Sequence, residues 1–152
     1  MTVRDIVQIG HPVLRETARP LEPAEVAGGG VQRLIDDLVD TMRAADGAGL
    51  AATQVGEAVQ VCVIEVRPGN PRYPYKPRIP LTVLVNPVVT PRTAETFANY
   101  EGCLSVPGLR GVVDRFVDVQ VHALDRHGEP LDLVARGLSA GTFQHETDHL
   151  HG

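Results

Sequence analysis

The stretch GLSAGTFQHETDHLHG, residues 137–152, combines a predicted helix with the densest group of reactive side chains in the sequence. Leu138, Thr142, His145 and His149 recur at helical spacing and therefore share one face. We predict a C-terminal helix that presents two histidines on one side, and we expect the rest of the chain to pack around it.

Residues 145–149, HETDH, follow the HExxH pattern. Side chains four residues apart on a helix lie one turn above each other, so His145 and His149 can present two imidazoles to one metal ion. Glu146 would then point toward water beside that ion. The alternative is a surface helix without a metal, and the pattern favours the metal site.

A catalytic metal site of this kind needs a third protein ligand and an open position for water. In the common proteases with this motif, that ligand follows the motif in the sequence. Only three residues follow it here, and His151 would point to another side of the helix. The third ligand is therefore expected upstream.

Four upstream residues are candidates for the third ligand. His11 and His127 stand beside turn residues, and His122 alternates with valines in a predicted strand, where a structural role is common. Cys103 lies in NYEGCLSVPGLRG, residues 99–111, after a glycine that allows close backbone approach. The lack of a downstream ligand favours Cys103, with the histidines left open as candidates.

The remaining periodic segments predict the fold class. Apolar residues recur at helical spacing in VQRLIDDLVDTMRAAD, residues 31–46. Runs rich in β-branched residues cover 59–66, 81–89, 116–124 and 130–136, with turn-rich segments rather than helices between them. We predict an α+β fold, with antiparallel strands packed around the C-terminal HExxH helix and a long helix in the N-terminal half.

Composition predicts one domain, residues 1–152, because 43% of the residues are hydrophobic and no shift in composition marks a second domain. The net charge of -5, without a basic run, argues against direct nucleic-acid binding. No segment approaches the roughly 20 apolar residues of a membrane helix. The N-terminus lacks a signal-peptide or transit-peptide pattern. We expect a cytoplasmic protein that binds neither nucleic acid nor membrane.

The segment DGAGLAATQVGE, residues 46–57, is rich in small residues. Its structural interpretation is a tight turn followed by a packed strand. Its functional interpretation is that Gly47 and Gly49 leave room for a substrate backbone added as a strand, while Gln54 offers an amide donor.

These three segments together resemble the signature of peptide deformylases, metalloenzymes that remove the N-formyl group from nascent proteins. The family pattern GxGLAAxQ is met by residues 47–54, EGCLS by residues 101–105 and QHExDHL by residues 144–150, in the same order and at similar spacing. IGHPVLRE, residues 9–16, also resembles the family's opening segment, so the resemblance covers essentially the whole chain.

The resemblance implies one divalent metal ion bound by Cys103, His145 and His149. In the family this ion is ferrous iron in the cell, and zinc, nickel or cobalt can occupy the site. Ligand types alone would favour zinc. A thiolate and two neutral imidazoles leave the ion with a net positive charge, which lowers the pKa of bound water.

The resemblance also implies the catalytic groups. Glu146 would be the general acid and base. Gln54 and the backbone N–H of Leu104 would form the oxyanion hole. Glu101 and Arg115 are predicted to pair and to hold the cysteine loop in place.

The implied substrate is the N-formyl-methionyl end of a nascent peptide. Its methionine side chain would enter an apolar pocket walled by Ala48, Leu138 and Thr142, and Arg110 would contact the peptide. The positions assigned to substrate binding are Gly47, Ala48, Gly49, Arg110, Leu138 and Thr142.

Family members usually continue past this motif with an apolar segment and often a helix, and this sequence lacks that C-terminal tail. Stability and any transient ribosome contact through such a tail are therefore in question.

The Pro-rich segment 71–80 is predicted to be an extended surface loop, acting as an interface, a substrate lid or neither. The alternative functions are another small metalloamidase or metalloprotease, and an inactive structural metal-binding protein.

Overall fold

The computed structural model describes residues 2–152. Within this range the α-helices are Pro23–Val26 (α1), Gly29–Ala44 (α2) and Leu138–Asp148 (α3). The strands are Gly49–Ala51 (β1), Val61–Val66 (β2), Ile79–Pro91 (β3), Thr96–Cys103 (β4), Val106–Phe116 (β5), Asp118–Leu124 (β6) and Pro130–Arg136 (β7). Short 3-10 helices occupy Pro12–Arg15 and Ala52–Val55.

The strands form two antiparallel units. Five of them make a sheet in the order β1–β2–β3–β6–β7. The other two, β4 and β5, pair with each other as a separate hairpin. The prediction of helices combined with antiparallel strands is confirmed, whereas the hairpin was not predicted.

Strand β2 is buried on both faces, which explains why its sequence VCVIEV lacks polar alternation. Successive side chains of a strand point to opposite faces. Val61 and Val63 therefore pack in the cluster that contains α2, whereas Cys62 and Ile64 pack in the cluster that contains α3. The two helices lie on opposite faces of the sheet, with β2 between them.

Helix α2 buries an apolar stripe against the face of the sheet that carries Val61 and Val63. The stripe consists of Leu34, Ile35, Leu38 and Met42. Fully burying one such side chain stabilises the fold by about 1.5–3 kcal/mol. The chain reverses just after α2 and leads directly into β1. Although α2 is the longest helix, no helix within residues 2–152 has the length and apolar character needed to cross a membrane.

Helix α3 lies between the sheet and the β4–β5 hairpin. Phe143 and Leu150 belong to the buried cluster on the second face of the sheet. The Gln144 side chain accepts a hydrogen bond from the backbone N–H of Phe116 at 2.9 Å and donates one to its carbonyl oxygen at 2.8 Å. His145 and His149, at the end of α3, are thereby held against the hairpin that carries Cys103.

Candidate metal centre and substrate cleft

Strand β4 and helix α3 bring three candidate ligands together. Cys103 ends β4, His145 lies in α3, and His149 is the residue that follows α3. The Cys103 Sγ atom lies 3.4 Å from Nε2 of His149, which lies 3.2 Å from Nε2 of His145. All three ligand atoms lie within 4.8 Å of one another. Of the upstream candidates, Cys103 is the one placed beside the two histidines.

The Glu101 carboxylate anchors this cluster. It accepts hydrogen bonds from Arg115 Nε and Nη2, both at 2.8 Å, and from Asn99 Nδ2 at 2.7 Å. It also lies 2.9 Å from Nδ1 of His145. Arg115 makes a second ion pair with Asp148. The predicted pairing of Glu101 with Arg115 is confirmed.

The protonation states of Glu101 and His149 fit a cluster of metal-binding donors. Burial alone would raise the pKa of Glu101, but hydrogen bonds from Arg115, His145 and Asn99 lower it to about 2. The ionised carboxylate fixes Nδ1 of His145, so the Nε2 atom of that ring faces the cluster. Burial and the neighbouring His145 lower the pKa of His149 to about 3, which keeps its imidazole neutral.

The ring of His145 lies between Glu101, 2.9 Å from its Nδ1 atom, and His149, whose Nε2 atom is 3.2 Å from its own Nε2. Burial lowers the pKa of this ring, but interactions with Cys103 and Glu101 outweigh burial and raise it to about 10. A divalent ion takes a thiolate and neutral imidazoles as ligands, so metal binding would require this ring to release its proton. The donor set thus fits a metal.

Glu146 lies next to His145 and is buried. Burial raises the pKa of its carboxyl group above the usual value. Within residues 2–152, its Oε2 atom has no hydrogen-bond partner. Gly49 of β1 packs directly against this side chain. A buried carboxyl with an unpaired oxygen and a raised pKa is suited to carrying a proton.

The amide of Gln54 is fixed by its own oxygen. Its Oε1 atom accepts a hydrogen bond from the backbone N–H of Ala51 at 3.0 Å, which turns Nε2 toward the cluster. Nε2 donates to Ser105 Oγ at 3.0 Å and to Cys103 Sγ at 3.7 Å. A primary amide has two N–H donors, so one of them holds Ser105 while the other points at the ligand cluster.

A narrow cleft opens beside the cluster. Its walls include two of the proposed ligands, Cys103 and His145. They also include eight other residues selected from the sequence, which are Gly47, Ala48, Gly49, Gln54, Glu101, Leu104, Thr142 and Glu146. Gly47 is needed for the packing of Leu104, because a Cβ atom at position 47 would lie 2.8 Å from Leu104 Cδ1. Leu104 itself lies in the turn between β4 and β5.

Two predicted substrate residues lie outside this wall. Leu138 begins α3, and its carbonyl oxygen accepts a hydrogen bond from the Thr142 hydroxyl at 3.3 Å. Arg110 of β5 is directed toward the Pro-rich segment, where its guanidinium carbon lies 5.4 Å from the centroid of the Tyr73 ring. It also donates to the Tyr75 hydroxyl at 3.3 Å.

Sequence reasoning missed three polar residues of the cleft, which are Tyr73, Lys76 and Asn99. Tyr73 and Lys76 belong to the Pro-rich segment 71–80, which is mostly exposed, in agreement with the predicted surface loop, while these two side chains line the cleft. The side chain of Tyr73 is buried. An aromatic residue and a lysine among prolines were the available signal, and their hydropathy pattern alone does not predict a cleft wall.

The sequence is similar to known enzymes over almost its full length. A profile of the polypeptide deformylase family matches residues 3–152. Peptide deformylase 2 of Pseudomonas putida is 43% identical over 150 residues, which cover 99% of this chain and 84% of that protein. Peptide deformylase of Leptospira biflexa is 40% identical over 152 residues, which cover 100% of this chain and 85% of that protein.

The fold is similar to solved structures of the same enzymes. The class I type b peptide deformylase from Acinetobacter baumannii bound to Met-Ala-Ser superposes with a TM-score of 0.93 at 36% identity, covering 99% of this chain and 94% of that one. Peptide deformylase from Thermotoga maritima superposes with a TM-score of 0.86 at 30% identity, covering 99% and 93%. Because sequence and fold agree over nearly the whole length, this chain belongs to the polypeptide deformylase family.

Proposed function

We propose that this protein hydrolyses the N-formyl group of formyl-methionine at the start of nascent polypeptides and releases formate. Residues 1–152 would act as one catalytic domain. The observation that carries the proposal is the convergence of Cys103, His145 and His149, with ligand atoms within 4.8 Å of one another, beside the buried Glu146 and the oriented amide of Gln54.

Cys103, His145 and His149 would hold one divalent ion, with Fe²⁺ proposed for the cell and Zn²⁺, Ni²⁺ or Co²⁺ able to occupy the site in a preparation. Three protein ligands match a catalytic rather than a closed structural site. An ion held there supplies Lewis acidity, which lowers the pKa of water and provides a nucleophile near neutral pH.

Glu146 would carry the proton. Its carboxylate accepts a proton from the water whose oxygen attacks the formyl carbon. When the bond between the formyl carbon and the amine nitrogen breaks, the same carboxyl group delivers that proton to the nitrogen. Burial raises the pKa of Glu146, which brings its proton affinity closer to the working pH. Formate and a free amino terminus then leave.

Gln54 and Leu104 would stabilise the negative oxygen that develops on the formyl carbon. The N–H of the Gln54 amide that points at Cys103 and the backbone N–H of Leu104 are the two proposed donors. Removing one such donor typically costs 10²- to 10³-fold in kcat. Ser105 and Ala51 hold the Gln54 amide in place at 3.0 Å each, so this donor is oriented before substrate binds.

The substrate peptide would lie along β1. This strand is at the edge of the five-stranded sheet and pairs only with β2 among the described residues, so a peptide can add to its free side. Ala48 and Thr142 would border the methionine side chain, and Arg110 and Leu138 would lie farther out. Nascent formyl-peptides are the proposed partners, reached through transient contact with the ribosome.

The decisive experiment is formate release from formyl-Met-Ala-Ser by protein that is purified without oxygen and loaded with Fe²⁺. We expect turnover by the parent and almost none by Glu146→Ala with metal still bound. Glu129→Ala, which removes an exposed carboxylate, is the matched control and should keep full activity. The proposal fails if the folded, metal-loaded parent releases no formate.

Metal analysis tests the ligands separately. Cys103→Ala should lose the ion, whereas Cys62→Ala, which changes the buried cysteine of β2, should keep it. Full metal retention in Cys103→Ala would contradict the ligand assignment.

A further inference from the structure

Lys76 is the single lysine of the sequence, and it lies in the wall of the cleft beside Thr142 and Glu146. It belongs to the Pro-rich segment 71–80, which Tyr73 anchors with only 6% of its surface exposed. An ammonium group is strongly hydrated and is usually kept in bulk water. The position of Lys76 in a cleft wall therefore needs a physical reason.

The ammonium group of Lys76 has few partners. Its Nζ atom donates to Thr142 Oγ1 at 3.1 Å and lies 4.3 Å from the centroid of the Tyr73 ring. Within residues 2–152, Thr142 is the acceptor that the structure shows for it. A lysine has three N–H donors, so Lys76 can bind a further acceptor that enters the cleft.

The electrostatic surroundings make the binding of such an acceptor at Nζ more favourable. Burial lowers the pKa of Lys76, and the guanidinium groups of Arg110 and Arg72 lower it further. The carboxylates of Glu146 and Glu101 act in the opposite direction, but the net shift is downward. An acceptor bound at Nζ would replace part of the hydration that the ammonium group has lost.

The neighbouring walls are also polar. Asn99 and Thr142 are 3% and 4% exposed, and Asn99 donates to Glu101 at 2.7 Å. Gly141 makes room for this amide, because a Cβ atom at position 141 would lie 2.6 Å from Asn99 Nδ2. The pocket expected from sequence to be apolar thus has a lysine, a threonine and an asparagine in its lining.

We propose that Lys76 is a specificity-determining residue that admits formyl-peptides whose first side chain has the length of methionine and ends in a strong hydrogen-bond acceptor. Methionine sulfoxide fits this description, because it keeps the carbon chain of methionine and its sulfinyl oxygen is a stronger hydrogen-bond acceptor than the thioether sulfur. The reaction is unchanged: water adds to the formyl carbon, formate and the amine leave, and the sulfoxide is not altered. This inference rests on the proposed function and on the assignment of Thr142 to the side-chain pocket.

An apolar side chain of equal length provides the contrast. Norleucine fills the same volume but cannot accept a hydrogen bond, so it leaves the ammonium group desolvated and without a new partner. Sites built around a polar contact discriminate strongly against ligands that lack it. We therefore expect kcat/KM to favour the sulfoxide over norleucine.

The test compares formyl-peptides that begin with methionine, methionine sulfoxide or norleucine, each followed by Ala-Ser. In Lys76→Met, the ratio of kcat/KM for the sulfoxide to that for norleucine should fall about tenfold, mainly through KM, in line with the loss of one charged hydrogen bond. Arg78→Met is the matched control, because it removes an exposed cation from the same segment. It should leave the ratio unchanged.

Labelling supplies a readout independent of turnover. Because the sequence has one lysine, reductive methylation followed by peptide mapping reports on Lys76 without interference from another lysine. The unformylated sulfoxide peptide should slow this labelling more than the norleucine peptide does.

The outcomes separate this inference from the proposed function. An unchanged ratio in Lys76→Met, with formyl-Met-Ala-Ser still hydrolysed, would overturn the role of Lys76 and leave the function standing. An equal fall in Arg78→Met would also overturn it, since net charge would then be the cause. Failure of the folded, metal-loaded parent to hydrolyse any formyl-peptide would overturn both.

Discussion

Gly49 and Glu146 are packed so closely that no side-chain carbon fits between them. A Cβ atom at position 49 would lie 2.6 Å from Cγ and Cδ of Glu146 and 2.7 Å from its Oε1. The glycine therefore allows the edge strand β1 and the carboxylate of α3 to touch. The position of the proposed proton carrier depends on this contact.

Replacement of Gly49 by alanine should displace Glu146 while the metal ligands stay in place. We expect Gly49→Ala to lower kcat by about 10²-fold, because a shift of about 1 Å can cost this much, and to keep its bound metal. Formate release and metal content measure the two effects. Gly30→Ala is the control, since its Cβ would meet nothing within 4 Å, and it should gain about 0.5–1 kcal/mol of stability. Full activity in Gly49→Ala would contradict the expected displacement.

Gly141 and Asn99 should be energetically coupled. Alanine is favoured over glycine by about 1 kcal/mol inside a helix, but here its Cβ would collide with the Asn99 amide. We expect Gly141→Ala to destabilise the parent and to stabilise the Asn99→Ala variant. A double-mutant cycle by denaturant unfolding should give a coupling of about 1–3 kcal/mol. If the two free-energy changes were additive, helix α3 and the β4–β5 hairpin would separate freely enough to accommodate the alanine Cβ.

Arg115 should hold the proposed ligands in position through Glu101. Both side chains are nearly buried, at 10% and 9% exposure, so Arg115→Ala leaves an uncompensated carboxylate. We expect a loss of about 3 kcal/mol in the free energy of unfolding, together with weaker metal binding. Arg136→Ala, which breaks an exposed ion pair, should cost less than about 1 kcal/mol. Unchanged metal content and activity in Arg115→Ala would show that Glu101 needs no such support.

The pairing of Glu65 with Arg43 should make part of the stability depend on pH. Two hydrogen bonds from Arg43, both at 2.9 Å, lower the pKa of Glu65 below its usual value of 4.5. A carboxyl whose pKa is lower in the folded state stabilises the fold above its unfolded pKa and loses this effect as the pH falls through the folded pKa. Glu65→Gln should therefore cost about 1 kcal/mol at pH 7, since Arg43 is 42% exposed and solvent weakens the pair.

The measurement for Glu65 is the difference in unfolding free energy between parent and variant. This difference should shrink as the pH is lowered below 4.5. Glu129→Gln, at an exposed glutamate, serves as the control and should show no such trend. A difference that stays constant with pH would exclude the ion pair as its source.

The regular elements with a buried face were predictable from sequence. Helix α2 was predicted at 31–46 and is Gly29–Ala44, since its apolar stripe meets a real core. The four predicted strands correspond to β2, β3, β6 and β7. The hairpin was missed because β5 is exposed along most of its length, with Arg115 its one buried residue, so it has no apolar alternation to detect.

The candidate site was predictable where spacing on one element determines geometry. His145 and His149 are one helical turn apart, and their juxtaposition follows from that alone. The position of Lys76 depends instead on how a Pro-rich segment packs through Tyr73, and that of Asn99 on the absence of a side chain at Gly141. Both are contacts between distant parts of the chain, which local pattern does not specify.

The site is assembled from pieces that are far apart in sequence. Cys103 and His149 are separated by 46 residues. Gln54 and Ser105, whose hydroxyl accepts a hydrogen bond from the Gln54 amide, are separated by 51. Thr53 donates to the carbonyl oxygen of His149 across 96 residues. The loop-closure cost of contacts of this range must be met before they form, which slows the folding of a chain. During refolding, catalytic activity should therefore recover later than helical structure, so that formate release measures the completion of folding.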